Sequence, residues 1–93
     1  MTADAFFRMT VADVFYIRGR GTVVTGQVES GTLRLSDELH LSRPGAANRT
    51  VVVAGIEQFR KQMTEAKAGD NVGLLLAGLE KKDVQRGDTL LGA

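Results

Sequence analysis

The sequence predicts an all-β domain, a sandwich or a barrel, and two observations carry that expectation. Eleven glycines are spread along 93 residues instead of clustering, and they cut the chain into short pieces. Between them lie segments rich in Val, Leu, Ile, Phe and Thr, which suit a pleated, half-buried surface, with a turn signal roughly every ten residues.

The strands follow in order. Phe7, Met9 and Val11 alternate with Arg8, Thr10 and Ala12, and after Asp13 the residues Phe15 and Ile17 lie opposite Val14, Tyr16 and Arg18. Gly19 and Gly21 then permit a tight reversal, with Arg20 held at its tip for an outside partner or a barrel-rim carboxylate. Gly26 sits in mid-strand, where a missing side chain implies a bend or a second backbone passing close. Leu39 and Leu41 alternate with Glu38, His40 and Ser42, which turns the single histidine towards solvent. Val51-Val52-Val53 is apolar at every position and predicts a strand buried on both faces. Val72, Leu74 and Leu76 form one face of a late strand, with Gly73, Leu75 and Ala77 on the other. Ser30-Gly31-Thr32, Arg43-Pro44-Gly45 and Ala68-Gly69-Asp70 carry turn chemistry.

Two stretches read differently. Across residues 56–68 the spacing of Ile56, Phe59 and Met63 is weakly helical, and a short helix or a strand running into a loop both fit. The loop is the preferred reading, with Phe59 and Met63 capping the barrel. Lys81-Lys82-Asp83-Val84 predicts a single helical turn before the last strand. No repeat, low-complexity tract or linker interrupts the chain, so residues 1–93 read as one domain.

Composition excludes several function classes. Twelve basic and eleven acidic residues leave a net charge of +1, without the strong positive field that drives non-specific nucleic-acid binding. Any RNA contact must therefore be a shaped local site. With no cysteine there is neither a disulfide nor a thiolate metal site, which fits a cytoplasmic protein, and one histidine allows no His-pair metal site. No apolar run is longer than that of Leu74 to Ala77, far short of a membrane span, so no membrane partner is expected. Met1-Thr2-Ala3-Asp4 lacks the basic n-region of a secretory signal.

The catalytic and nucleotide-binding patterns fail on inspection. Gly21-Thr22-Val23-Val24-Thr25-Gly26 has phosphate-loop spacing, but Gln27 and Val28 stand where Lys and a Mg²⁺-holding Ser or Thr are needed. Gly19-Arg20-Gly21 lacks the third glycine of a dinucleotide fingerprint. Asp70-Asn71-Val72-Gly73 is a bare DxxG that opens a strand, and no Asn-Lys-x-Asp guanine reader exists. No nucleophile–base pair surrounds His40. No catalytic residue, metal site or cofactor is expected in this chain, and it does not read as an enzyme.

Residues 13–31, DVFYIRGRGTVVTGQVESG, resemble the DVF-x-I-x-GRGTVVTG-x-VE-x-G opening of the β-barrel domain, domain 2, of elongation factor Tu and related translation GTPases. Gly55-Ile56-Glu57-Gln58-Phe59-Arg60-Lys61 is similar to that family's G-[VI]-E-x-[FH]-RK segment. Residues 68–76, AGDNVGLLL, resemble AG-[DE]-NVG-x-LL, and Arg86-Gly87-Asp88-Thr89-Leu90 resembles the closing RG-x-x-L. The resemblance implies a six-stranded antiparallel Greek-key barrel that packs against a GTPase domain and helps hold the aminoacylated 3′ end of tRNA. GTP and Mg²⁺ would belong to that GTPase domain.

By the same resemblance, Ile17, Gly19, Val23 and Leu75 form an apolar slot for the terminal adenine, closed by Glu57, with Arg60 near the terminal nucleotide. Branched aliphatics can sandwich a base, and a carboxylate can accept from an amine or a 2′-hydroxyl. Asp13, Phe15, Thr25, Phe59 and Asn71 correspond to the aminoacyl pocket. Ala12 departs from the pattern, standing where the family has a glutamate. In that family tRNA is gripped between three domains, so a single barrel offers only part of the surface. A second expectation is a non-catalytic barrel acting as a protein–protein interaction module, with a homodimer among its outcomes.

Overall fold

A computed structural model describes residues 6–92. The segment Met1-Thr2-Ala3-Asp4 lies outside them. Ten strands follow one another: β1 (Arg8–Thr10), β2 (Asp13–Ile17), β3 (Gly21–Ser30), β4 (Thr32–Arg34), β5 (Glu38–Ser42), β6 (Arg49–Gln58), β7 (Lys61–Met63), β8 (Glu65–Lys67), β9 (Asn71–Ala77) and β10 (Thr89–Leu91). A 3₁₀ turn at Lys81–Asp83 precedes β10, as the sequence predicts.

Six staves close into an antiparallel barrel. Their order is β1-β10-β5-β6-β9-β3, and β1 pairs again with β3 to complete the ring. Strands adjacent in the barrel are often distant in the chain: β3 lies against β9, and β10 enters between β1 and β5. The alternation expected for Phe7, Met9 and Val11, for Leu39 and Leu41, and for Val72, Leu74 and Leu76 points all of them into the core, and His40 faces out. The β4–β8 ribbon stands apart from the ring and adds Leu33 and Ala66 to the same core.

Gly26 explains how the first stave bends. A Cβ there would sit 2.5 Å from the Thr10 carbonyl oxygen, so the passing backbone expected from the sequence is present. At that crossing Val11 leaves β3 and bonds instead with the closing segment: its N–H donates to Asp88 O, and its carbonyl accepts from Gly87 N, both at 2.8 Å. β2 then resumes along the first half of β3.

Two expectations fail. Val51-Val52-Val53 is not buried on both faces: Val51 and Val53 are inside, while Val52 is 38 % exposed. A barrel wall has one interior, so a strand of β-branched residues still turns every second one to solvent. Residues 56–68 form neither a helix nor a loop. β6 runs on to Gln58 and folds back as β7, with Gln58 paired to Lys61, and β8 follows. Phe59 does not cap the barrel; it is 86 % exposed at the hairpin tip, and Met63 is itself exposed.

That tip is strained. Phe59 and Arg60 both take positive φ, 52° and 64°, in a two-residue turn of the type normally filled by Asn-Gly. Left-handed backbone costs a side-chain-bearing residue about 1–2 kcal/mol, of which glycine's extra unfolded-state entropy would return about 0.5–1. Arg60→Gly is therefore expected to raise stability by roughly 0.5–1 kcal/mol, seen as a higher urea midpoint at unchanged slope. A midpoint at or below that of the parent would refute the strain.

Candidate functional site

The strand register gathers most of the expected site residues on one outer face. Phe15 pairs with Val23, Val23 with Leu75, and Leu75 with Gly55, making one row across β2, β3, β9 and β6. The next row on the same face runs Asp13, Thr25, Gly73, Glu57. Between the two rows, Val24, Leu74 and Ile56 point the other way and are buried, with Val14 packed against them. Neighbouring strands lie about 4.8 Å apart, so side chains two strands away on a row are within reach of one ligand ring.

A groove forms where side chains are missing. Ile17, Val23, Leu75 and Glu57 line it together with Arg20, Gly55, Ile56, Gln62 and Gly73. Gly55 and Gly73 are its floor: a Cβ on Gly55 would lie 3.3 Å from the Leu75 Cβ, and one on Gly73 would lie 3.7 Å from Val23 Cγ1. A register shift between Val53 and Gly55 sets Gly55 opposite Leu75. The groove measures about 30 Å³, room for about one or two waters. A flat base must therefore lie on its apolar lips or move the long side chains of Arg20 and Gln62. Glu57 is exposed, and its only side-chain hydrogen bond among the described residues is a long one of 3.4 Å from Gln62 Nε2.

The remaining expected residues divide. Gly19 and Arg60 do not line the groove; they occupy the β2–β3 and β6–β7 turns beside it. The five residues expected as an aminoacyl pocket are not a separate compartment. Asp13, Phe15 and Thr25 interleave with the groove residues in the same two rows, Asn71 stands one row further on opposite Gln27, and Phe59 projects from its turn. The Asp13 carboxylate is also engaged, accepting from Arg86 Nη2 at 2.9 Å. Sequence reasoning missed Gly55, Gly73, Arg20 and Gln62 as groove residues. A glycine in mid-strand was the available signal for the first two.

Basic side chains flank this face. Arg18, Arg20, Arg60 and Lys61 rise from the two flanking turns, and none forms an ion pair among the described residues. Among the described residues, no three of His, Asp and Glu gather as a metal site.

The match to a family model gives this six-stranded antiparallel barrel its class, a translation-factor barrel domain. The chain belongs to the elongation factor Tu domain 2 family, whose model matches residues 21–91. In elongation factor Tu this domain is the non-catalytic barrel. The match takes in Val23, Thr25, Glu57, Phe59, Arg60, Asn71 and Leu75, while Asp13, Phe15, Ile17 and Gly19 precede it. Among the described residues no helix is long and apolar enough to cross a membrane.

Proposed function

We propose that this barrel contributes to binding the aminoacylated 3′ end of tRNA, acting with a GTPase domain. The observation that carries the reading is the convergence of Ile17, Val23, Leu75 and Glu57 on one groove from four different strands. Three aliphatic side chains offer a stacking surface for a base, and Glu57 at its edge offers acceptors to an exocyclic amine or a ribose hydroxyl. The unpaired cations of the flanking turns supply local positive charge in a chain of nearly zero net charge. One small groove buries little surface, so a chain of this size binds weakly without neighbouring domains.

Titration of isotope-labelled protein with aminoacylated tRNA, using deacylated tRNA as control, tests this reading. Amide shifts are expected at Ile17, Glu57, Asn71 and Leu75, larger for the aminoacylated form. Glu57→Ala is expected to weaken binding about tenfold or more, the loss of one charged hydrogen bond, with the melting temperature nearly unchanged. Shifts confined to other faces would overturn the assignment. Unfolding of the Glu57→Ala protein would show that the carboxylate is structural.

A second reading, docking of another protein domain or a second copy, is favoured by a separate observation. Phe6, 71 % exposed, borders an apolar hollow of about 440 Å³ with Leu91, Gly92, Glu38 and His40. Exposed apolar surface of this kind suits a protein neighbour such as a GTPase domain. Concentration-dependent sedimentation would reveal a homodimer.

A further inference from the structure

We propose that Arg43, Arg49 and Lys82 form an anion site for a phosphate group, in a cavity that shares no lining residue with the groove. The cavity has a volume of about 230 Å³ and is built by the β5–β6 loop, the start of β6 and the 3₁₀ turn. Ala46 and Ala47 form its loop side, and Asp83 and Asp88 complete the lining.

The hydrogen-bond inventory of this cavity is lopsided. Asp88 Oδ1 accepts from Arg43 Nε and Oδ2 from Arg43 Nη2, each at 2.8 Å, and Oδ2 also accepts from Gln85 N at 2.9 Å. Asp83 Oδ1 meets Arg49 Nη1 at 3.0 Å, and Oδ2 accepts from Glu80 N at 2.9 Å. Every carboxylate oxygen in the cavity therefore has a protein donor. The guanidinium groups are not used up. Arg43 Nη1 and Arg49 Nε and Nη2 have no protein acceptor among the described residues, and the Lys82 ammonium has only an exposed, 3.6 Å approach to Glu80. Each of the three cationic side chains thus has one anionic partner, Asp88, Asp83 and the exposed Glu80, and guanidinium N–H donors are left over at the cavity.

The complement of such a site is an oxyanion. A phosphate fits better than a carboxylate, because its tetrahedral oxygens can accept from two guanidinium forks and an ammonium arriving from different directions. The aspartates pin both arginines in place, which lowers the entropy lost when a ligand orders them. Arg49 is half exposed and Lys82 more so. Binding of free phosphate is accordingly weak and sensitive to salt. The bearer of the phosphate is either a small phosphorylated molecule or a nucleic-acid backbone, and the chemistry of the site is shared by both.

The test is an amide and arginine Nε titration of the full chain by NMR with inorganic phosphate at constant ionic strength. Saturating shifts are expected at Ala46, Ala47 and Asp83 and at the Nε of Arg43 and Arg49, with millimolar half-saturation. The double variant Arg49→Gln/Lys82→Gln should weaken binding about fivefold or more, as removal of two partly exposed cations implies. Lys82→Gln alone is the fallback if the double variant loses its native spectrum. Arg43 is left intact because it holds Asp88. Arg34→Gln/Lys67→Gln on the exposed β4–β8 ribbon, away from both the cavity and the groove, should leave phosphate binding unchanged. A second arm uses a short single-stranded oligoribonucleotide. Saturation of the same residues at lower concentration than phosphate assigns the site to a backbone, and saturation by phosphate alone assigns it to a small ligand. Shifts that rise without saturating, or that spread equally over Arg18, Arg20, Arg60 and Lys61, would overturn the proposal.

Discussion

Gly31→Ala is expected to destabilise the barrel by about 2–5 kcal/mol, a large share of the roughly 5–14 kcal/mol typical of a domain this size. Two effects add. Gly31 has φ of +75°, which costs alanine about 1–2 kcal/mol. Its Cβ would also lie 2.6 Å from Phe7 N and 2.7 Å from both Phe6 C and Phe7 Cα. Those neighbours are backbone atoms and cannot swing aside as a flexible side chain does, so overpacking adds about 1–3 kcal/mol. Phe7 is a core residue, and displacing it disturbs the first stave. Gly69→Ala is the control: φ is +94°, but nothing lies within 4 Å of the new Cβ, so only the conformational part of about 1–2 kcal/mol remains. Urea unfolding of the two variants side by side measures the difference. Equal destabilisation would show that the chain near Phe6 and Phe7 yields freely and that the close approach carries no energy.

Asp88→Ala should cost about 2–4 kcal/mol, the range for breaking a buried charged network whose other member can still reach water. Asp88 is 2 % exposed, and its carboxylate ties three segments: Arg43 after β5, Gln85 before β10, and β10 itself. The same contacts make stability depend on pH. The hydrogen bond from Arg43 holds the Asp88 pKa below its usual value, helped by the Gln85 N–H and the Arg43 charge and opposed by burial. A carboxyl depressed in the folded state stabilises above its unfolded pKa of about 3.9, and that contribution is lost as pH falls through the lower folded value. Stability should therefore decline on acidification from about pH 5 downwards. Asp83, through the Glu80 N–H and Arg49, and Glu29, through the Thr10 hydroxyl and Arg8, are depressed as well and add to the same decline. Asp88→Asn should remove the Asp88 share and flatten the acid limb. A variant curve parallel to the parent's between pH 5 and pH 3 would refute this role.

Periodicity made the core legible. Along one wall of a barrel the inward residues alternate with period two, and Leu39/Leu41 and Val72/Leu74/Leu76 announce that period directly. It failed where chemistry and burial part company. Val52 is as β-branched as its buried neighbours, so its type suits a strand without revealing its side, and only closure of the wall turns it outward. The β6–β7 hairpin was illegible for a different reason: its tip is Phe-Arg, not the Asn or Gly that signals such a turn, and tertiary context holds it there against local preference.

The candidate site was legible as a set of residues and not as a shape. Ile17, Val23, Glu57 and Leu75 converge as the resemblance implied. The slot set and the pocket set are interleaved on this face: Val23, Leu75 and Glu57 share two cross-strand rows with Phe15, Asp13 and Thr25, while Ile17 and Asn71 lie in the rows on either side. The groove floor escaped notice since a glycine contributes by what it lacks, and a gap exists only relative to neighbours on other strands.

Most strands and inward faces, the turns after Ser30, Arg43 and Ala68, and the family were readable in the sequence alone, because they depend on residues near one another in the chain or on motif spacing within one segment. Tertiary structure alone decided that Gly55 meets Leu75, that Arg43 meets Asp88 across 45 residues, and that the cations of two distant turns flank one face. These are pairings between strands remote in sequence. Their register is set by how the whole wall closes over one core, and that information is carried by no single segment.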